Sequence, residues 1–272
     1  MKHSALLLCL LSTLAVPLRA ASDEVGAPAP AQWEFVLAPY FWGVGLEGTV
    51  AADQHSSDVD VSFSDIWDVL DVGVLAAFEA RRGKFSVVSN AIYMKISPDG
   101  GRPVGSLVPA APPGSFDVRV TTQEIIFELR PVWEVLSVPL FGAADERRIA
   151  LDLGPGARAF WLDNHVDVKL KPGVPVGPFQ SRFDESAFWV DLVGAARVRA
   201  QLTENIGLAV SGDYGGFDIG SSSHRTWSLG GFLSYRLGEH WDLGAGWRTL
   251  EIDRGGVNLE MSGPLLGAGY RF

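Results

Sequence analysis

Two short motifs contain residue types that occur in hydrolytic enzymes. Asp163 and His165 are two positions apart, and an Asp–His pair can activate a water molecule, as in some proteases. The alternation of this segment, however, places both side chains on the same outer face as Trp161. No second acidic pair on an opposing segment is evident. We therefore expect no proteolytic site here.

Ser222 and His224 could act as nucleophile and base in a lipid-cleaving enzyme. The surrounding Ser-Ser-Ser-His sequence instead predicts a polar loop tip, and no acid that would orient the histidine is evident. A metal site built from His55, His165 and His224 would need three separate loops to converge. The glycine-rich stretches lack a Gly-Lys-Ser/Thr phosphate loop. We expect no catalytic residue, no cofactor and no metal.

Composition narrows the class of protein. The chain has 272 residues, of which 47% are hydrophobic and 11% aromatic, and this excludes disorder for most of its length. Its net charge of −10 argues against a nucleic-acid partner, which requires a basic surface. A single cysteine, Cys9, excludes an internal disulfide.

The N-terminus resembles an export signal. Residues 1–20 combine a short basic start, the apolar core Ala5–Val16 and a small-residue cleavage site. We predict a signal peptide at 1–20, a short segment at 21–31 and one domain at 32–272. Cleavage removes Cys9 and two basic residues, so the mature charge becomes 20 − 32 = −12.

The rest of the chain alternates with a period of two. In the segment 241–249, Trp241, Leu243, Ala245 and Trp247 share one face, and polar or glycine residues occupy the other. Long strands with one apolar face and one charged or glycine-rich face are typical of membrane β-barrels. We predict an all-β, single up-and-down antiparallel transmembrane barrel.

Ten segments are long enough to span a membrane, which takes about 9–11 residues. Eight or twelve strands are the nearest alternatives, and Val59–Phe63 is too short to cross. Numbering from a periplasmic N-terminus puts short turns inside and most long loops outside, and the exception, 134–147, has no explanation from the sequence. The ten segments are 33–48, 72–82, 84–97, 116–133, 148–165, 186–202, 205–219, 224–237, 241–254 and 257–272.

Tryptophans cluster near strand ends, as expected for the two aromatic belts of a membrane barrel. The inner group is Trp33, Trp133 and Trp241. The outer group is Trp42, Trp161, Trp189 and Trp227, of which Trp42 and Trp189 could instead face the lumen.

The final strand carries aromatics at alternate positions and ends in Tyr270 and Phe272. It resembles the C-terminal strand by which the assembly machinery recognises Gram-negative outer-membrane barrels. Residues 33–42, 60–71 and 261–267 are similar to a widespread group of uncharacterised proteobacterial outer-membrane proteins. The resemblance implies an outer-membrane location, with the barrel-assembly machinery, membrane lipid and lipopolysaccharide as partners. It implies no activity.

Fourteen charged residues fall on the lumen face, seven acids and seven arginines. A barrel of ten strands is narrow, and unpaired buried charges are costly, so these side chains must pair. We expect a structural charge network that blocks or narrows the lumen. Its predicted members are Glu79, Arg81, Glu124, Glu128, Arg130, Asp152, Arg158, Asp191, Arg197, Arg199, Asp213, Arg236, Asp242 and Arg248.

The first outer loop contains a predicted two-turn helix at Ser64–Asp71. Ser64 is its expected cap, and Asp65 suits the N-terminal turn. The helix could lie on the outer rim, or it could fold into the mouth as a plug.

The sequence thus predicts an outer-membrane barrel without catalytic activity, either structural or a narrow or plugged channel. A small-solute porin is the alternative, and an outer-membrane hydrolase is a distant one.

Overall fold

A computed structural model describes residues 32–52, 55–97, 116–140, 147–170 and 180–272. The predicted signal peptide at 1–20 and the segment at 21–31 lie outside the described residues. The elements are β1 (Glu34–Trp42), β2 (Gly45–Ala52), β3 (His55–Val61), α1 (Phe63–Val69), β4 (Leu70–Arg82), β5 (Phe85–Ile96), β6 (Phe116–Pro139), β7 (Arg148–Leu170), β8 (Gln180–Gln201), β9 (Ile206–Gly216), β10 (Arg225–Leu237), β11 (Trp241–Arg254) and β12 (Val257–Arg271).

The strands close into a ten-stranded antiparallel barrel, which confirms the predicted fold. β1 pairs with β4 on one side and with β12 on the other, and β4 to β12 each pair with the next strand along the chain. β2 continues β1 in an unbroken register, because Trp42 is opposite Leu265 and Gly45 is opposite Ser262. β3 pairs with β2 and does not add a barrel strand.

The register also sets the tilt of the strands. A line drawn perpendicular to the strands starts at Glu34 in β1 and passes once around the barrel. It returns to the same barrel strand at Leu46, in its continuation β2. The two positions differ by 46 − 34 = 12 residues. Such a stagger is what tilts barrel strands by about 35–45° and fixes the barrel's width. With ten strands the interior is only slightly wider than the space that side chains can fill.

Two ends of the barrel can be distinguished. The terminal end holds Trp33 and Phe272 together with the turns 83–84, 202–205 and 238–240. The loop end holds α1 and the connections 217–224 and 255–256.

The segment 134–147 is mostly strand. β6 continues to Pro139, and its pairing with β7 extends to Pro139 opposite Arg148. The sequence prediction ended this strand at 133 because a β-bulge at Val135 interrupts the alternation: Glu134 faces Asp152, and Leu136 faces Leu151. The long inner connection is therefore an extended hairpin.

Helix α1 begins one residue earlier than predicted, and its cap is Ser62. The Ser62 hydroxyl accepts a hydrogen bond from the Asp65 amide at 3.3 Å, and the Asp65 carboxylate accepts one from the Ser62 amide at 3.3 Å. Ile66 is buried, whereas Phe63 and Trp67 are exposed and contact Phe41 on the outside of the wall. The helix therefore rests on the rim through one inward anchor, because a plug would bury more of its side chains.

The seam between β1 and β12 depends on the last residue. The backbones of Phe35 and Phe272 exchange two hydrogen bonds of 3.2 and 3.1 Å, and the two rings stack with centroids 5.8 Å apart. Tyr270 stacks on Phe272 at 6.1 Å.

We predict that Phe272→Ser lowers the yield of folded, membrane-embedded protein, because it removes the stacking at the seam and the predicted assembly signal. Phe188→Ser is the matched control, since Phe188 is equally outward but lies far from the seam. Heat-modifiable migration in gels measures the folded fraction. Equal folded fractions for the two variants would contradict the role assigned to Phe272.

Candidate functional site in the barrel lumen

A buried ion-pair layer crosses the middle of the lumen. Arg158, which is 1% exposed, donates hydrogen bonds of 2.7 Å to Glu128 and 2.7 Å to Asp213. Arg130 contacts the same two carboxylates at 3.1 and 2.9 Å, and Arg248 donates to Glu128 at 2.7 Å. Side chains from four strands, β6, β7, β9 and β11, thus meet in the lumen. Arg158, Glu128, Asp213 and Arg248 are all buried there.

A second ion-pair group lies nearer the terminal end. Asp152 is fully buried and accepts hydrogen bonds from Arg197 at 2.9 Å and from Arg199 at 2.7 and 2.9 Å. Arg197 also binds both oxygens of Glu79, at 2.8 and 2.9 Å. Arg81 approaches Glu79 at 3.1 Å. Two-point contacts of this kind use the planar fork of arginine, which lysine cannot reproduce.

An apolar layer lies on the loop side of the ion pairs. Phe160 and Trp189 stack with ring centroids 4.7 Å apart, and Ile66 of α1 joins them in the same core. The guanidinium of Arg248 lies 5.3 Å from the centre of the Trp42 ring and so connects the two layers. The buried residues of this layer are Trp42, Val44, Ile66, Ile92, Met94, Ile126, Phe160, Trp189, Leu250 and Met261.

Four predicted members of the charge network lie outside these groups. Asp191 binds the amide and hydroxyl of Ser223, both at 2.7 Å, and so holds a loop rather than an arginine. Glu124 lies near the apolar layer, opposite Met94, with no ion-pair partner among the described residues. Asp242 and Arg236 form a looser pair, 3.7 Å apart, at the terminal end.

A cavity of about 770 Å³ opens from the ion-pair layer toward the terminal end. Its lining includes four charged residues that the predicted network omits: Glu34, Glu134, Arg148 and Arg271. Glu134 fell outside the predicted strand, which ended at 133. Arg148 could have been found because it alternates with Asp152 and Arg158, and Arg271 because it shares a face with Gly267 and Gly269. Eight arginines and four acids line the cavity among the described residues: Arg81, Arg130, Arg148, Arg197, Arg199, Arg236, Arg248 and Arg271 against Glu34, Glu79, Glu134 and Asp242.

The motifs that suggested hydrolysis are not assembled into a site. Asp163 and His165 both lie on the outer surface, where the alternation placed them. Within the described residues, no group of three His, Cys, Asp or Glu side chains is positioned to hold a metal ion.

The loop 217–224 contains an acid that the sequence did not reveal. Asp218 lies 2.6 Å from Nδ1 of His224 and raises the pKa of this exposed histidine. Consecutive positive φ angles at Phe217 and Asp218 curl the loop and bring the two together. Ser222 does not complete a triad, because its hydroxyl accepts from the Ile219 amide at 2.7 Å and donates to the Gly216 carbonyl at 2.8 Å.

The outer surface is apolar and has an aromatic cluster at each end. Near the terminal end, Phe85 packs on Trp133 at 4.8 Å, and near the loop end Trp161 packs on Phe188 at 4.9 Å. Trp42 and Trp189 face the lumen and so do not belong to the outer belt. Trp161 is 161 − 153 = 8 residues from Leu153, the partner of Trp133, which corresponds to about 26 Å of strand.

An apolar band between aromatic belts, on a barrel that leaves no unpaired strand edge in its wall, satisfies the requirements of a lipid bilayer. The chain is therefore a transmembrane β-barrel of the bacterial outer-membrane type. No helix in the described ranges is long and apolar enough to cross a membrane.

Comparisons with known proteins give fold-level likeness at most. No family model matches the chain, and no curated protein matches it. Among solved structures, the outer membrane protease OmpT from Escherichia coli covers 92% of this chain and 99% of its own, with 9% identity and a TM-score of 0.46. The outer membrane channel DcaP of Acinetobacter baumannii covers 90% and 99%, with 10% identity and a TM-score of 0.26. Sequence identities and TM-scores this low do not indicate an activity.

We predict that Arg158→Met destabilises the barrel by about 3–5 kcal/mol, because it leaves Glu128 and Asp213 short of a buried counter-charge. Arg148→Met is the matched control, since Arg148 is exposed and, among the described residues, bonds to Ser137 and to no carboxylate. Urea unfolding of the protein in lipid vesicles measures both. A loss of stability no larger than that of the control would show that the ion-pair layer is dispensable for stability.

Proposed function

We propose that this protein is a non-catalytic outer-membrane barrel whose lumen is permanently closed to solutes. The single observation that supports the proposal most strongly is the pair of successive seals, one of buried ion pairs around Arg158 and one of stacked apolar side chains around Phe160 and Trp189. Barrel strands alone form the ion-pair seal, and barrel strands together with Ile66 of α1 form the apolar seal.

The small-solute porin is the weaker alternative. A porin keeps a continuous column of water through its lumen, and its charged side chains line that column without meeting across it. Here Arg158 on β7 reaches Asp213 on β9, and Arg248 on β11 reaches Glu128 on β6, so the charges meet across the interior. Opening such a pair would expose unpaired charges next to an apolar layer, which is costly.

If the lumen is closed, the protein interacts with other molecules at the two ends of the barrel. Under the predicted topology the loop end faces outward, toward lipopolysaccharide, and the terminal end faces the periplasm. The C-terminal Tyr270 and Phe272 are the proposed contact for the barrel-assembly machinery. A hydrolase remains without support, because Ser222 is engaged in its own turn and His165 faces outward.

We predict that the wild-type protein passes no ionic current in planar bilayers. Removing both seals with Phe160→Ala, Trp189→Ala, Glu128→Ala and Arg158→Ala should give stepwise conductance in the fraction that folds. The control is Trp161→Ala with Phe188→Ala, which removes the equivalent outward pair from the same strands. This control should show no conductance.

Heat-modifiable migration identifies the folded fraction for each variant. Steady, large conductance from the wild-type protein would overturn the closed-lumen proposal and favour the porin. A folded variant that lacks both seals and remains silent would show that the block lies elsewhere.

A further inference from the structure

The cavity at the terminal end has two unlike walls. Arg81, Arg197 and Arg199 extend from β4 and β8 on one side. The opposite wall, formed by β10 and β12, has small residues such as Gly230 and Gly267 in its deeper part and Arg236 and Arg271 toward the opening. A ligand deep in this cavity would therefore meet charge on one side and an almost smooth surface on the other, with two further arginines at the opening.

The smooth wall is shaped by one aromatic ring. Phe232 lies across Gly244, where a Cβ atom would collide with the ring. Val36 and Leu265 border the same space, so part of the cavity surface is apolar. Such a surface contributes little to the binding of water, but it stabilises a bound organic molecule that has an apolar part.

One arginine that borders the cavity has no carboxylate partner among the described residues. Arg148 is exposed and bonds the hydroxyl and carbonyl of Ser137, at 2.7 and 2.9 Å. A hydrogen bond from this guanidinium to an anion would be stronger than its bonds to neutral oxygens, because both partners would then be charged.

The charge of the lining points the same way. Eight arginines face four carboxylates in the cavity wall, and the further acids Asp152, Glu128 and Asp213 lie behind it, already bound to arginines. Toward the opening, Arg236 and Arg271 share the single carboxylate of Asp242, at 3.7 and 2.8 Å. Eight arginines against seven acids leave a net charge of 8 − 7 = +1 around a space of about 770 Å³, and the shared carboxylate of Asp242 puts this surplus near the opening. The volume is within the usual size of small-molecule sites.

We propose that this cavity is a binding site for a small organic anion, a carboxylate with an apolar body, which enters from the terminal end and leaves by the same opening. The site rests on the proposed function, because the ion-pair layer forms its floor. Arg236 and Arg271, which already share the carboxylate of Asp242, bind the carboxylate of the ligand, and Phe232 and Leu265 contact its apolar part.

The test uses benzoate as the probe and benzyl alcohol as its uncharged counterpart. Isothermal titration in a non-ionic detergent should detect benzoate binding and no benzyl alcohol binding. Arg236→Gln should weaken benzoate binding by about tenfold or more, because it removes a charge-assisted contact. Arg254→Gln is the matched control, since Arg254 lies at the loop end, 4.3 Å from the Trp189 ring, and should bind benzoate normally.

A second measurement places the ligand. Ser211 lines the cavity, so in Ser211→Cys benzoate should slow the reaction of the new thiol with a small thiol reagent. Absence of benzoate binding, equal binding of benzyl alcohol, or equal weakening in both arginine variants would each overturn the proposal. Ionic current through the wild-type protein would overturn the closed lumen instead, and the titration would still report on the site.

Discussion

The structure depends on one buried interaction, the contact of Arg158 with Glu128 and Asp213. A ten-stranded barrel encloses more space than small side chains fill, and in this chain arginines and carboxylates span it. Each of these groups is favourable in the interior only while its partners are present, since removal of one leaves an uncompensated buried charge. The layer therefore ties β6, β7, β9 and, through Arg248, β11 to one another across the lumen.

The interior is graded along the barrel axis. The loop end is packed with aromatic and aliphatic side chains, the middle holds buried ion pairs, and the terminal end holds the arginine-rich cavity. With the closed lumen that we propose, this gradient makes a cavity that opens at one end only. A protein of this form can anchor in a membrane and present a pocket to one compartment without compromising the permeability barrier.

The sequence predicted the barrel because a strand's side chains alternate strictly between lipid and lumen, so the faces of β8 and β11 could be assigned without a structure. It failed at the end of β6, where the bulge at Val135 breaks the alternation and the predicted strand ended one residue before Glu134. Arg148 was missed for no such reason, because it alternates with Asp152 and Arg158 on β7. The sequence also could not predict which side chains pair. Asp191 was expected to meet an arginine and instead binds Ser223, because the geometry of the loop decides which residue approaches Asp191. The cap of α1 is Ser62 and not Ser64, because only Ser62 has an acid, Asp65, three residues later to complete a capping box. This spacing is readable in the sequence, and the prediction overlooked it.

The central claim is that no solute path crosses the barrel. Osmotic swelling of proteoliposomes in arabinose tests it most directly, since a path for a small sugar causes swelling whatever its ionic selectivity. The closed lumen predicts swelling rates equal to those of protein-free liposomes at every protein density. Swelling that rises with the amount of folded protein, and that slows as larger sugars replace arabinose, would contradict it.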